Sequence, residues 1–460
     1  MSGAGMTTAL DTRLDGRVLR PGDPGYDRAR SVWNAMIDRY PRLIVRCASV
    51  GDVATAVRYA RDHDLEIGVR CGGHNITGHA VPDGGLMIDL TALSRVRVDP
   101  LRRRAWIQGG ALLGSLDRAA QAYGLATTAG NVSHTGVGGL TLGGGMGWLA
   151  RQHGLACDNV VSCELITADG QLVRASATER PDLYWGLRGG GGNFGIVTQF
   201  EFRLHPVGTR ALSVALDFPV QDAAQVLRGW RDLSLTAPRA ATFDASVDAE
   251  RARVGYVWVG DPERGRSLLA PLRELGQPVA TRVESLSYLQ LQTRDDSPQG
   301  HSLRRYWKGH YFSRLDDAAI SAMTSPAGSD GLRPGFSLQA YGGAIADVPD
   351  EDSAFSQRGT AFEFVAAARW SDPAEDAARM GAARSFAARL DGYASGAYVN
   401  ALTDEGAAGV RRAYPAAKLA RLVALKDAYD PDNVLHLNHN IAPSQRETSG
   451  IEAAAGVEPA

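Results

Sequence analysis

Four cysteines in a chain of 460 residues are too few to build a disulfide framework. Cys47, Cys71, Cys157 and Cys163 have no metal-ligand spacing, and each lies in or beside an apolar run. They read as reduced, buried thiols of a cytoplasmic protein, and no metal site is expected. An excess of one charge is also missing. The 49 basic and 51 acidic residues leave a net charge of −2, which gives no field to attract nucleic acid or an anionic membrane. No run of 18 apolar residues occurs, so no transmembrane helix is expected. No basic stretch leads into a long apolar core near the start, so no signal peptide is read there. Segments 1–15 and 445–460 are expected to be disordered; the second is polar, Ala-rich and acidic.

Glycine, by contrast, is abundant: 53 residues, clustered at 70–85, 136–147 and 189–195. Such clusters suit loops that bring backbone close to a ligand. The first follows a β-rich run and reads Arg70-Cys71-Gly72-Gly73-His74-Asn75, continuing to Gly78 and His79. Successive N–H groups in a glycine turn make an anion nest suited to phosphate. The second runs from Ala129 to Trp148. Its seven glycines between Gly136 and Gly147 each cost a helix about 1 kcal/mol relative to alanine, so a winding loop is predicted. It is not a dinucleotide fingerprint, because no strand leads directly into it and no acidic partner follows. The third loop spans residues 183–195.

Hydrophobic periodicity places the remaining elements. A helix is predicted over 27–40 through Val32, Trp33, Met36, Ile37 and Tyr40, then a strand at 43–47 and a helix at 51–62. Strands follow at 67–71, 86–90, 96–98 and 105–108, a helix at 112–123, and strands at 163–167 and 196–204. His205-Pro206 marks a boundary. Between 207 and 410, strands are predicted at 212–218, 242–247, 253–259, 336–341, 361–369 and 397–401, with helices at 221–234, 262–275, 315–324 and 373–390. An amphipathic helix at 416–429 and a polar closing strand at 435–441 end the pattern. The alternation of types predicts an α/β or α+β protein. Its expected domains are 27–206, 207–410 and a C-terminal return at 411–443.

Taken together, these motifs resemble a known family. Arg70-Cys-Gly-Gly-His74 resembles the flavin-attachment motif of the vanillyl-alcohol-oxidase type of FAD-binding fold. The 129–148 and 183–198 stretches resemble its other flavin-contacting segments. Tyr429-Asp-Pro-Asp-Asn433 through Asn438-His-Asn440 resembles the C-terminal motif of berberine bridge enzyme-like oxidases, in particular the bacterial nicotine-oxidising and aromatic-polyketide branches. The resemblance implies a two-subdomain FAD-binding fold plus a substrate domain with an antiparallel sheet covered by helices. It implies FAD bonded through its 8α-methyl carbon to His74. Val132 stands where many relatives have a second, cysteinyl link, so a single link is expected. The cofactor set implied is Arg70, Cys71, Gly72, Gly73, His74, Asn75, Gly78 and His79 in the first motif. From the second it takes Ser133, His134, Thr135, Gly138, Gly139, Gly143, Gly145 and Trp148, and from the rest Gly195, Ile196, Val197, Asn438 and Asn440.

In such a protein the residues supply position, a base and electronic tuning to the flavin. The expected reaction is hydride removal from a C–H bond of a small alcohol or amine, with O2 as acceptor and H2O2 as product. Candidates for the base are Tyr341, Tyr398 and Glu363, and Gln339 shares a strand face with Tyr341 and is a candidate to hold substrate. Trp106, Trp185 and Trp370, and the indole of Trp148, read as core rather than substrate platforms. Two alternatives stay open: a flavin-dependent oxygenase or rearranging enzyme of aromatic polyketide biosynthesis, and a flavin-loaded binding or resistance protein without turnover.

Overall fold

The computed structural model describes residues 10–297, 300–325 and 332–444. The first half builds two main sheets and a two-stranded pair, Leu125–Ala126 with His205–Pro206. In the smaller, Leu43–Arg46, Leu86–Asp89 and Ile67–Arg70 run parallel, with Arg17–Leu19 added antiparallel at the edge. Parallel strands need both faces covered. The helix Val50–Asp62 covers one, burying Val53, Ala56, Val57 and Ala60. Ser49 caps it in a reciprocal box with Asp52. The second sheet is five-stranded and wholly antiparallel, in the order Val96–Asp99, Arg104–Gln108, Ile196–Arg203, Val160–Ile166, Leu172–Ser176.

The second half is organised on a seven-stranded antiparallel sheet. Its order is Ala280–Ser287, Arg210–Pro219, Arg251–Val259, Ala241–Val247, Gly335–Ala340, Phe362–Trp370, Arg304–Phe312. Period-two alternation decides what each face does. Phe243, Phe336, Leu338, Phe362 and Phe364 point to one side and pack with Trp230 and Phe386 from the helices Ala223–Thr236 and Asp376–Ala388. The opposite face carries Asp244, Gln339, Glu363, Val365 and Tyr311, and it looks toward the first half.

Several expected elements are corrected. The helix expected over 27–40 stops at Arg30, because the next stretch is claimed by tertiary partners. The Trp33 N–H donates to the Gly73 carbonyl (3.0 Å), and the Asn34 amide donates to the carbonyls of Ile76 and Arg305 (2.7 and 2.9 Å). The 129–148 stretch is not all loop: Val137–Leu142 is a short helix, as close backbone packing overrides glycine's poor propensity. The third glycine stretch opens with a helix, Pro181–Leu187, whose start signal is the proline in its first turn. The expected strand at 397–401 is a 3-10 turn at Val399–Ala401, and 435–441 forms no strand. Strands Arg17–Leu19, Ala280–Ser287 and Arg304–Phe312 add to those expected. Of the segment 1–15 expected to be disordered, residues 10–15 are in place: Leu10 is buried and the Asp15 N–H donates to Asp52. Residues 1–9 and 445–460 lie outside the described residues.

The chain returns to its first half through a buried charge. Helix Ala416–Tyr429 places Lys426, fully buried, over the last glycine loop. Its ammonium donates to Asp430 (2.6 Å) and to the carbonyls of Asn193 and Leu435 (3.0 Å each). Asp430 also accepts from the N–H groups of Val434 and Leu435. Removing one partner strands the other charge in low dielectric. Lys426→Met is therefore expected to destabilise the fold by about 3–5 kcal/mol. Urea unfolding checks this: the midpoint should fall at an unchanged slope.

Candidate functional site

A cavity of about 450 Å³ lies between the two halves. Its floor is backbone. The strand Ile67–Arg70 runs into Gly72 and Gly73, and Gly73 sits at φ +67. A Cβ on Gly72 would come within 2.3 Å of the Gly136 nitrogen, so the first and second glycine motifs touch main chain to main chain. Cys71, Gly72, Gly73, His74, Asn75 and His79 line the cavity from the first motif, and Val132, Thr135, Gly136, Gly138 and Gly139 from the second. Gly195, Ile196, Val197 and Asn438 complete the predicted cofactor residues on its wall.

Other predicted residues are placed elsewhere. The Arg70 guanidinium turns away to the Ala29 carbonyl. Gly78 packs on Ile37, and Gly143 on Asn400. Ser133 is held by Asp296, which accepts from its N–H (2.8 Å) and its hydroxyl (2.6 Å). Gly145 donates its N–H to the Tyr398 hydroxyl (2.7 Å). Trp148 is core, beside Leu149, Val257 and Tyr288. Asn440 is off the cavity wall; without a closing strand, it does not alternate with Asn438 as expected.

His74 is tightly held. Trp33 stacks on its ring (4.8 Å between centroids, 16° apart), and the Arg305 guanidinium in turn lies 4.0 Å from the Trp33 ring centre. Its Nε2 meets His134 Nδ1 at 2.6 Å, and Thr135 Oγ1 stands 3.4 Å from its Nδ1. One proton shared across the short contact pairs the two facing nitrogens. Burial, then the neighbouring His134, push His74 down to about 3, so its imidazole is neutral at physiological pH. A neutral imidazole has a nitrogen lone pair to offer an electrophile.

The opposite wall is the inner face of the seven-stranded sheet. Glu363 and Tyr398 reach the cavity. Burial pushes the Glu363 carboxyl up to about 7, opposed by the hydrogen bond it accepts from the Tyr341 hydroxyl (2.7 Å). Tyr341 stands behind Glu363 and is fully buried, with Tyr311 beside it, hydroxyls 3.5 Å apart. The Tyr398 oxygen accepts from the Gly145 N–H and from Asn400 (2.8 Å), while burial holds its phenol well above the usual range. Gln339 pairs with Glu363 across the strands and does not reach the cavity wall.

Several wall residues are not among the site residues that the sequence singles out. Trp33, Trp307, Asn131, Asn400 and His439 line the cavity, as do Gly190 to Asn193. His439 stacks edge-on against His79 (5.0 Å), and burial takes both rings down, to about 4 and about 3. The one signal for His439 and Asn131 is a polar residue inside a recognised motif, with nothing to show which way it points. Buried polar atoms without partners gather around this space: Asn131 Oδ1, His134 Nε2, Asn438 Oδ1 and His439 Nε2. Folded proteins rarely leave such atoms bare, so they fit a polar ligand. A ring system edged by carbonyls and N–H groups and carrying a polyol and phosphates, as FAD is, matches both the orphaned atoms and the main-chain floor.

Comparison with known proteins agrees with the chemistry of this cavity. A family model described as an FAD binding domain matches residues 41–176, and one described as berberine and berberine like matches residues 397–442. The chain is 33% identical over 462 residues to (R)-6-hydroxynicotine oxidase of Paenarthrobacter nicotinovorans, covering 95% of this chain and 99% of that one. It is 30% identical over 446 residues to the uncharacterized FAD-linked oxidoreductase YgaK of Bacillus subtilis, covering 95% and 98%. Among solved structures, 6-hydroxy-D-nicotine oxidase from Arthrobacter nicotinovorans superposes with a TM-score of 0.85 at 29% identity, over 94% of this chain and 98% of that one. The wild-type BBE-like 1 protein of Physcomitrella patens gives 0.86 at 25% identity, over 95% and 99%.

Proposed function

The chain belongs to the berberine bridge enzyme-like FAD-linked oxidoreductases, with the α+β FAD-binding fold of the vanillyl-alcohol-oxidase type, and from that premise we infer that it is an oxidase whose FAD is bonded once, to His74. The observation that carries this reading is the facing of two walls across one cavity: neutral His74 on the glycine floor, and Glu363 with Tyr398 on the sheet. Bound FAD supplies a two-electron acceptor that can pass electrons on to dioxygen, giving H2O2. Val132 has no sulfur with which to form a second link. His134 orients the His74 ring and holds the proton that the imidazole must give up. Thr135, Gly136 and Gly139 are small, which leaves room for dioxygen on that side of the site.

On the opposite wall, Glu363 takes a proton from the substrate's hydroxyl or amine as the C–H bond is broken. A carboxyl pushed up to about 7 is suited to a general base near neutral pH. Tyr341 steadies its charged form through the 2.7 Å hydrogen bond. Tyr398 stays a phenol and orients the substrate; the two donors on its oxygen leave its own proton free to point into the cavity. The substrate is a small molecule shaped by residues 207–410, with 27–206 and 411–443 holding the cofactor. The free cysteines suit a reducing, cytoplasmic setting. No helix among the described residues is long and apolar enough to cross a membrane.

The test needs no knowledge of the substrate. Purified protein should be yellow, and anaerobic dithionite should bleach it. Admitting air should restore the colour within seconds, with one peroxide formed per flavin. Slow recovery of colour would instead mark a dehydrogenase that uses another acceptor.

A further inference from the structure

Ser133 belongs to the second glycine motif, yet it turns from the cavity to a residue of the other half. The helix Tyr288–Thr293, capped by Ser287, follows the edge strand Ala280–Ser287 and packs on the helix Leu113–Gln121. Side chains of this arm hold the loop that carries His134. The Gln292 amide donates to the Gly130 carbonyl and to Asp117 (3.1 Å each). Asp296, just past the helix, takes Ser133 with both oxygens: Oδ1 accepts from its N–H (2.8 Å) and Oδ2 from its hydroxyl (2.6 Å). From the first half, Leu113 and Gly114 donate their N–H groups to the Thr135 and Ser133 carbonyls (2.9 and 2.8 Å). His134 lies between these anchors, with its ring against His74.

An uncharged acceptor could anchor Ser133 as well; a carboxylate adds charge. Both donors to Asp296 are neutral, so they spread that charge without cancelling it. No cation pairs with Asp296 among the described residues. Burial holds the His134 ring below its ordinary value. Of the charged groups that act on it, His301 and Arg305 disfavour a proton there, and Asp296 alone favours one. Flavin attachment needs such a proton acceptor. Joining a His74 nitrogen to the flavin 8α-carbon forms one N–C bond and breaks one N–H and one C–H bond. The two electrons and two protons released go to dioxygen, the acceptor of the proposed reaction, as H2O2. His134 Nδ1 faces His74 Nε2 at 2.6 Å and takes the N–H proton, which leaves the lone pair on His74 Nδ1, beside Thr135 Oγ1. For that moment His134 is a cation in a poorly solvated place, and an acid nearby lowers its cost.

We propose that Asp296 is a positioning residue for flavin attachment: it holds the Ser133 loop so that His134 meets His74, and its charge steadies His134 while that ring carries the proton. The inference rests on the single His74 link proposed above. It makes attachment depend on an acid supplied by the half that shapes the substrate.

Acid precipitation of the isolated full-length protein reads the covalent fraction, and the flavin released to the supernatant counts what is held without a bond. Wild type should be fully covalent. Asp296→Asn keeps an acceptor for Ser133 and loses the charge; it should still bind flavin, but with much of it unlinked and converting slowly in air. Asp296→Glu, which keeps the charge, should be mostly linked. Asp295→Asn, which removes the neighbouring acid that pairs with Arg294, should match wild type. In Asp296→Ala, formate should speed conversion about tenfold over chloride at equal ionic strength, a rescue that a purely structural tether would not show. The proposal is overturned by a fully linked Asp296→Asn, by an Asp296→Asn that holds no flavin, by an Asp296→Glu or Asp295→Asn as deficient as Asp296→Asn, or by indifference to formate. Wild-type colour in the acid supernatant is a different result: it overturns the single-link reading itself, and this inference with it.

Discussion

His74→Ala should move the yellow colour from the pellet to the supernatant when the protein is precipitated with acid. Wild type should keep it in the pellet, and mass spectrometry should find the adduct on the peptide that contains His74. The expectation is all-or-none, because no second nucleophile stands ready. Val132 has none, and the Cys71 thiol hydrogen-bonds the Ala111 carbonyl while burial pushes it up to about 11. A thiol held that high is not a thiolate at neutral pH. His134 contacts the His74 ring as its proton partner, so its variant is the control. In His134→Ala, the His74 lone pair remains but its proton partner is lost. Attachment should then be slower and incomplete, with flavin still bound non-covalently. Colour retained in the acid pellet of His74→Ala would mean that the link is made elsewhere or that the flavin is trapped rather than bonded.

The same stretch shows how far sequence reasoning reaches. Local signals carry most of the elements. Ser49 with Asp52 starts a helix, and the alternation from Ile196 to Phe202 makes a strand. Asp169-Gly170 turns one antiparallel pair, Ile166 facing Leu172. These depend on neighbours in the chain, so they are visible in the chain. Trp33 is the opposite case. Its periodicity fits a helix, yet its N–H is used by Gly73 and its ring by His74, both some forty residues away. Nothing local announces such a contact. Glycine motifs mark the cavity floor because close main-chain approach excludes side chains. They do not separate residues that face the cavity, such as Thr135, from those that support it, such as Ser133 and Gly145. That distinction depends on direction, which a loop without period does not encode. On the sheet, period two does encode direction. It relates Gln339 to Tyr341, but register across strands is needed to bring Asp244 into their row.

Register also decides the largest catalytic effect expected. Glu363→Gln should lower kcat/KM by about 10²–10⁴-fold, the usual worth of a positioned base. The substitution keeps shape, and the new amide oxygen can still accept from Tyr341, so the loss should be chemical rather than structural. Wild-type kcat/KM should rise with pH through about 7, where Glu363 loses its proton, and the variant should lack that limb. Tyr398→Phe should keep it, because the Tyr398 phenol stays protonated throughout this range. Stability should move the other way. The folded carboxyl binds its proton more tightly than the unfolded one, about 7 against 4.5. The stability this contributes is complete below 4.5 and is lost as pH rises through about 7. Above pH 7 wild type carries a buried charge that glutamine does not, so Glu363→Gln should be the more stable protein there by about 1–3 kcal/mol. The gap should close below pH 4.5, where both side chains are neutral. A variant that is slower at every pH but keeps the limb near 7, with no gain in alkaline stability, would assign the proton to another group.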